Sequence, residues 1–371
     1  MKGAGHLDRV PPVRIRSLLL ITLWIALACD GPAQTAPRST GSLRVDGIWI
    51  SKHELASLPL SGPAWEGLLD QVRKPVSNPD LSDQDDPDNI RVFARALYAA
   101  RTGDRKVARE VVDACRAIRG TERRATALSV GRELLAYVLA ADLVGLDGKE
   151  REDFERWLRG IQHRSFRGRT LRSTHEDRPN NWGTHAGATR LAIAAYLGDV
   201  REVALAAHVF RGWTGEPDGW QGFVFGADGW QPDGTRRYAV NPRGALREGH
   251  PIGGVLPDDQ RRSGRFRWPP PRENYVYEAL QGAVVQAALL ERLGYDAWRW
   301  GDQAVLRAFE WLHEEADYPA EGDDTWLPHI INRAYGTDFP APVPTHPGKG
   351  MGFTDWTHPP RPLEARSGTE H

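Results

Sequence analysis

The chain has 371 residues, of which 40% are apolar, with 48 basic and 49 acidic side chains. This apolar content is enough for a folded core and excludes a chain that is disordered throughout. The formal charge of −1 argues against a nucleic-acid-binding protein, which usually carries a basic excess. Fourteen tryptophans are many for this length, and their flat faces suit sugar rings as well as hydrophobic cores.

Residues 1–28 predict an export signal. Basic residues precede an apolar run, 18–28, that is too short to cross a bilayer as a helix. The sequence ALAC at 26–29 allows ordinary cleavage after Ala28 or a bacterial lipobox with Cys29 as the lipidated first residue, and we favour the lipobox. Without residues 1–28 the chain keeps 44 basic and 48 acidic residues, a net charge of about −4. We expect a periplasmic protein, anchored to the bacterial envelope membrane through Cys29.

The remaining chain divides into three parts. Residues 29–45 are rich in Pro, Thr, Ser, Gly and Ala, a composition that predicts a flexible tether. Residues 46–358 predict one domain, and residues 359–371 a disordered tail. Because Cys115 is the only other cysteine, no disulfide framework supports the fold.

Apolar periodicity predicts an all-α domain. Short connections, each with a Gly that can end one helix and an Asp that can cap the next, force consecutive helices into antiparallel hairpins. Stacked hairpins give a bundle, a solenoid or a closed ring. We favour the ring, an (α/α) toroid, because faces of small residues and polar first turns imply a central cleft. The predicted helices are 89–100, 105–118, 121–144, 149–161, 179–197, 200–213, 275–293, 297–314 and 325–335.

The helix predicted at 179–197 carries the main candidate site. Pro179 suits its first position, and Asn181 and His185, four residues apart, share one face. Below them this face continues only as small residues, Ala188, Ala192 and Ala195, as the floor of a cavity would. The free N–H groups at the helix start favour an anion, so Asn181 and His185 could hold a carboxylate. An Asn cap and a core His remain the alternative interpretation.

Residues 215–271 lack a helical period and predict a functional loop or lid, with a short β-hairpin in GFVFGADGWQPDG. Near its end five arginines fall within twelve residues without an acidic residue. Guanidinium groups pair with carboxylates or phosphates, and Trp268 adds a stacking plane, so the segment favours an anionic sugar. A solvated basic face is the alternative. The five are Arg261, Arg262, Arg265, Arg267 and Arg272.

No other motif commits the chain to a chemistry. The histidines show no metal-binding spacing, and no phosphate-binding glycine loop or nucleophile elbow is present, so we expect no metal and no cofactor. Several acids could form a hydrolase pair, but none stands out. They are Asp228, Asp233, Glu248, Asp258 and Glu278.

Five segments in order resemble the alginate lyase family and its broader group of uronate polysaccharide lyases. They are NNWGTH at Asn180, the Trp/Gly loop, VLPDDQRRSG at Val255, ENYVYEALQG at Glu273 and GFTDWTH at Gly352. The resemblance covers about residues 86–358. It implies an (α/α) toroid, a substrate in a central groove and β-elimination at a uronic acid without a cofactor.

The resemblance also implies roles for particular residues. Asn181 would neutralise the C5 carboxylate with help from Arg262, for which Arg267 and Arg272 are alternatives, and His185 and Tyr275 would handle protons. The family has NNH where this chain has Trp182, so His185 is an inferred replacement. The expected substrate-binding residues are Trp182, Arg265, Arg267, Trp268, Arg272 and Tyr277.

Two other classes of protein would use the same residues. An envelope protein that only binds acidic polysaccharide needs the arginines and tryptophans but no catalysis, and a glycoside hydrolase on the same toroid needs two carboxylates. In each case we expect a monomer that contacts a membrane only through its lipid anchor.

Overall fold

The computed structural model describes residues 45–227 and 229–360. The predicted export signal, Cys29, the tether up to residue 44 and residues 361–371 of the tail lie outside the described residues, as does Asp228. Within the described ranges, no helix has both the length and the apolar character needed to cross a membrane.

The described part of the chain is almost entirely helical. Its α-helices are α1 (Lys52–Ser57), α2 (Pro63–Arg73), α3 (Asp88–Thr102), α4 (Arg105–Ala117), α5 (Ala127–Val144), α6 (Gly148–His163), α7 (Leu171–Asp177), α8 (Asn181–Leu197), α9 (Val200–Thr214), α10 (Pro257–Gln260), α11 (Asn274–Arg292), α12 (Trp300–Glu314), α13 (Leu327–Tyr335) and α14 (Thr354–Thr357). Two short antiparallel strands, β1 (Leu246–Arg247) and β2 (His250–Pro251), lie in the long loop between α9 and α10.

The long helices form an inner and an outer layer. The inner helices α3, α5, α8 and α11 pack side by side in that order and are buried almost all round, so that 15 of the 18 residues of α5 are buried. The outer helices α4, α6, α9 and α12 bury only one side. An all-round apolar helix must lie inside other helices, whereas an amphipathic one covers them. The prediction of an (α/α) toroid is confirmed.

The inner helices begin at the same end of the ring. In α3, Asn89 donates a hydrogen bond of 2.5 Å to Glu133 near the start of α5. His185, in the second turn of α8, lies 3.9 Å from Glu278, near the start of α11. Side chains from the first two turns of these four helices therefore lie at one end of the ring, where buried polar residues collect.

Two glycines set the distance between the inner helices. A Cβ at Gly282 of α11 would lie 2.4 Å from the carbonyl carbon of Thr184, and one at Gly131 of α5 would lie 2.9 Å from the backbone nitrogen of Ala186. Both distances are too short for a side chain. α8 can therefore lie directly against the backbones of both neighbours, and this packing holds its first turns in place.

The structure corrects several predicted boundaries. α8 begins at Asn181, not at Pro179, because Asn180 is the N-cap residue. The helix predicted at 121–144 is a 3₁₀ turn, Thr121–Arg124, followed by α5, because Thr126 caps a new helix start. Helices α1, α2, α7, α10 and α14 were not predicted. The β-hairpin prediction for GFVFGADGWQPDG is wrong, since the only strands in the described residues are β1 and β2, further along the loop.

Candidate active site

A short segment, Pro257–Ser263, contacts the starts of two inner helices. Oδ1 of Asp259 accepts a hydrogen bond of 3.0 Å from the backbone N–H of Asn181, the first residue of α8. Three residues further along the segment, the guanidinium of Arg262 lies over the ring of Tyr275 in the first turn of α11, 4.4 Å from its centroid. One short segment therefore connects the start of α8, with Asn181, to the start of α11, with Tyr275.

The start of α8 is not the open anion site that the sequence predicted. Asp259 accepts from the N–H of Asn181, and Oδ1 of Asn181 accepts from the N–H of Trp182 at 3.0 Å. Since side chains already pair these backbone donors, the helix start itself cannot hold a carboxylate there. Asn181 is only 1% exposed, and with its oxygen in use its side-chain NH₂ is the group left for a ligand.

Asp259 supports the start of α8 from a buried position. Burial, followed by the charge of Asp258, raises the pKa of Asp259 well above its usual range, which favours the neutral form. In either protonation state its Oδ1 can accept the N–H of Asn181.

His185 lies one turn deeper than Asn181 on the same helix. It is buried, and its Nε2 lies 3.9 Å from Oε2 of Glu278, which forms an ion pair with Arg132 of α5. Burial first, and then the charges of Arg132 and Lys349, lower the pKa of His185 well below its usual value. The imidazole is neutral at pH 7 and can accept a proton. Its predicted catalytic role stays a prediction.

Along the side of α11 that faces α8, side chains change from exposed at the start of the helix to buried further along. Tyr275, Glu278 and Gly282 follow one another at helical spacing. Tyr275 is 40% exposed, whereas Glu278 is 8% exposed and Gly282 touches the backbone of α8. Tyr275 therefore lies where a ligand can reach it.

Tyr277 points into the packed helix layer instead. Its side chain is fully buried, and its hydroxyl donates a hydrogen bond of 2.7 Å to the carbonyl oxygen of Tyr318. Burial raises the pKa of Tyr277 above its usual value. The structure does not support the predicted contact of Tyr277 with substrate.

The arginine cluster is only partly available to a ligand. Arg261 pairs with Asp258 at 2.7 Å, and Arg272 contacts Glu321 at 3.3 Å. Arg265 and Arg267 are exposed and form no ion pair within the described part of the chain. Arg262 is likewise exposed and forms no ion pair among the described residues, so three arginines of the cluster remain available to an anionic ligand.

The two predicted tryptophans lie near this surface. Trp268 is half-buried, and its ring stacks on His250 with 4.7 Å between centroids. Trp182 is half-buried in the first turn of α8, directly after Asn181. The predicted sugar contacts of both residues stay predictions.

Arg132 is the residue that the sequence analysis missed. It lies in the apolar run ALSVGRELLAYVLA of α5. The charged pair Arg132–Glu133 in that run indicated a buried polar site, because buried charges occur rarely without partners.

Asp324 is a second buried acid near Arg132. Burial raises the pKa of Asp324 to about 8, and Gln281 donates a hydrogen bond of 2.8 Å to its Oδ1. In the described residues, no group of His, Cys, Asp and Glu is arranged to hold a metal ion.

The fold and the groove define the class. This is an (α/α) toroid with an amide, a guanidinium and a phenol at the starts of α8 and α11 and a neutral imidazole one turn further along α8. Groups of these kinds can bind a carboxylate and transfer protons. Residues 91–238 match the family model described as alginate lyase. The resemblance to the alginate lyase family is thereby confirmed, and the match indicates a polysaccharide lyase.

Solved structures agree on the fold. Alginate lyase A1-III from Sphingomonas species A1 is 12% identical, with a TM-score of 0.53 over 85% of this chain and 97% of that one. A variant of alginate lyase A1-III complexed with a tetrasaccharide is also 12% identical, with a TM-score of 0.56 over 88% of this chain and 100% of that one. An alginate lyase from Bacteroides ovatus is 12% identical, with a TM-score of 0.50 over 78% of this chain and 92% of that one. A comparison with curated protein sequences gives no match.

Proposed function

We propose that this protein is a polysaccharide lyase that cleaves an acidic, uronate-containing polysaccharide such as alginate by β-elimination. The observation that supports the proposal is the segment Pro257–Ser263, which contacts Asn181 through Asp259 and Tyr275 through Arg262. His185 lies one turn further along α8, and its ring is neutral. The alginate lyase match and the three alginate lyase structures support the substrate class.

The reaction needs the carboxylate of the substrate to accept additional charge. When the C5 proton leaves, the carboxylate becomes a dianion, so the site must bind this state more tightly than the ground state. The NH₂ group of Asn181 and the guanidinium of Arg262 would donate to the carboxylate. Each well-placed donor of this kind contributes about 3 kcal/mol to the transition state.

Two proton transfers complete the elimination. His185 or Tyr275 takes the proton from C5, the C4–O bond breaks as the C4=C5 double bond forms, and Tyr275 gives a proton to the leaving oxygen. Each positioned proton transfer typically accelerates a reaction by about 10²–10⁴-fold. Every atom is accounted for by substrate and side chains, so the reaction consumes neither water nor a cofactor.

A panel of alginate, glucuronan and glycosaminoglycans tests the proposal. The unsaturated product of a lyase absorbs ultraviolet light because its new C=C bond is conjugated to the carboxylate, and we expect this absorbance to rise in step with new reducing ends. Reducing ends without absorbance would show a glycoside hydrolase. Binding without either signal would show a non-catalytic envelope protein.

The cellular location is a second part of the proposal. The apolar run that ends in ALAC, followed by a tether-like composition, supports lipidation of Cys29 and retention on a bacterial envelope membrane facing the periplasm. Mass spectrometry of the protein from a membrane fraction should find a lipidated N-terminal Cys29. Recovery in a detergent-free soluble fraction with unmodified Cys29 would leave only the ordinary signal peptide.

A further inference from the structure

A buried polar unit joins three inner helices beneath the groove. It consists of Arg132 on α5, His185 on α8 and Glu278 on α11, whose side chains are 3%, 5% and 11% exposed. Arg132 forms an ion pair with Oε2 of Glu278, and Nε2 of His185 lies 3.9 Å from that same oxygen. Glu278 therefore faces both the arginine and the imidazole.

The unit is not explained by stability alone. Nε2 of His185 and Nε of Arg132 are buried without a hydrogen-bond partner among the described residues. An unsatisfied buried polar group costs about 1–3 kcal/mol. The carboxylate of Glu278 is the acceptor toward which Nε2 of His185 can turn, and a small movement of the ring would close the gap to hydrogen-bonding distance.

We propose that Glu278 is the positioning residue of His185. By accepting a hydrogen bond from Nε2–H, Glu278 holds the ring and fixes its tautomer. In a neutral imidazole one nitrogen then donates and the other accepts, so Nδ1 is left as the proton acceptor. Arg132 pairs with the carboxylate of Glu278 in its buried position. The inference rests on the proposed function, since it makes His185 the base through Nδ1.

The packing of α8 against α11 makes this geometry rigid. Gly282, one turn below Glu278, touches the backbone of Thr184 and His185. Gln286, one turn further, donates a hydrogen bond of 3.0 Å to the carbonyl oxygen of Thr184. The relative height of His185 and Glu278 is thus fixed by backbone contacts that do not depend on either side chain.

The test measures the tautomer and the rate in the same variants. Nitrogen-15 spectra of histidine-labelled protein, with the His185 signals assigned by their loss in His185→Gln, should show the Nε2–H form in the wild type. In Glu278→Gln the amide oxygen should stay with Arg132, a donor only, so that the NH₂ group faces His185 and disfavours the Nε2–H form. This variant should therefore lose that form and lower kcat by about 10- to 100-fold, as when the partner that orients a metal-binding histidine is removed. KM should change little, and Glu278→Asp should recover part of kcat.

Glu202→Gln is the matched control. Glu202 pairs at 2.6 Å with Arg190, which is also buried and also lies on the inner ring, in α8. This change removes a carboxylate from a buried arginine without touching His185. It should lower stability as Glu278→Gln does while leaving kcat and the His185 signals unchanged.

The outcomes separate the inference from the proposed function. If Glu278→Gln keeps both the Nε2–H form and the wild-type kcat, the inference is overturned. If the wild type cleaves no polyuronate but Glu278→Gln still loses the Nε2–H form, the proposed function fails and the positioning of His185 stands. If Glu278→Gln does not fold, the double variant Arg132→Leu with Glu278→Leu leaves neither a buried charge nor an acceptor facing His185 and serves the same test.

Discussion

Replacing Tyr275 by Phe tests the proton transfer to the leaving oxygen. The change removes only the hydroxyl of a side chain that is 40% exposed, and the ring that contacts Arg262 at 4.4 Å remains. The free energy of unfolding should therefore change by less than about 0.5 kcal/mol. Loss of a positioned acid should lower kcat by about 10²–10⁴-fold, equivalent to about 3–5 kcal/mol in the activation barrier.

Tyr277→Phe is the control two residues away on the same helix. Its hydroxyl donates to the carbonyl oxygen of Tyr318 inside the packed layer, so its loss should cost about 0.5–1.5 kcal/mol of stability and leave kcat nearly unchanged. Ultraviolet assays and thermal unfolding measure both quantities on both variants. Full activity in Tyr275→Phe, with inactivation in Tyr277→Phe, would refute the assignment of the groove.

Three further predictions follow from the site. Asn181→Ala should lower kcat by about 10²–10³-fold, since one donor to the developing charge is lost, and an unchanged rate would remove Asn181 from catalysis. Replacing Arg265 and Arg267 by Ala should raise KM and reduce its salt dependence in titrations with acidic polysaccharide; equal binding of neutral glycans would contradict this. Burial raises the pKa of Asp324 from 3.8 to about 8, so the native state holds a proton that the unfolded chain releases, and stability falls as the pH rises from about 4 to about 8. Asp324→Asn should remove that fall in denaturation curves, and an unchanged pH profile would show that Asp324 is ionised in the native state.

Local signals were enough to predict the layers of the fold. Buried helices such as α5 and α8 are apolar on nearly all sides, and a Gly that ends one helix followed by an Asp that caps the next marks the turns. Both features can be recognised within a short stretch of sequence. The start of α8 was misplaced because Pro179 and Asn181 both suit a first turn. Only the structure shows that Asn180 is the cap and that Asp259, far along the chain, accepts from Asn181.

Contacts between distant segments explain what the sequence could not supply. Arg132 and Glu278 are 146 positions apart in the numbering, and neither local pattern indicates that they form an ion pair beside His185. Tyr275 and Tyr277 lie two residues apart, and the sequence does not show which of them is exposed. Because they point in different directions from α11, Tyr275 is exposed and Tyr277 is buried. Pairing and side-chain direction depend on how the helices close into a ring.

The fate of water during cleavage tests the central claim most directly. The protein is incubated with the polyuronate that it cleaves in water enriched with oxygen-18, and the masses of the products are measured by mass spectrometry. β-Elimination gives an unsaturated non-reducing end and a new reducing end that keeps the glycosidic oxygen of the substrate. After a brief reaction, neither product should therefore contain oxygen-18. Products heavier by one labelled water for each bond cleaved would show hydrolysis and contradict the account.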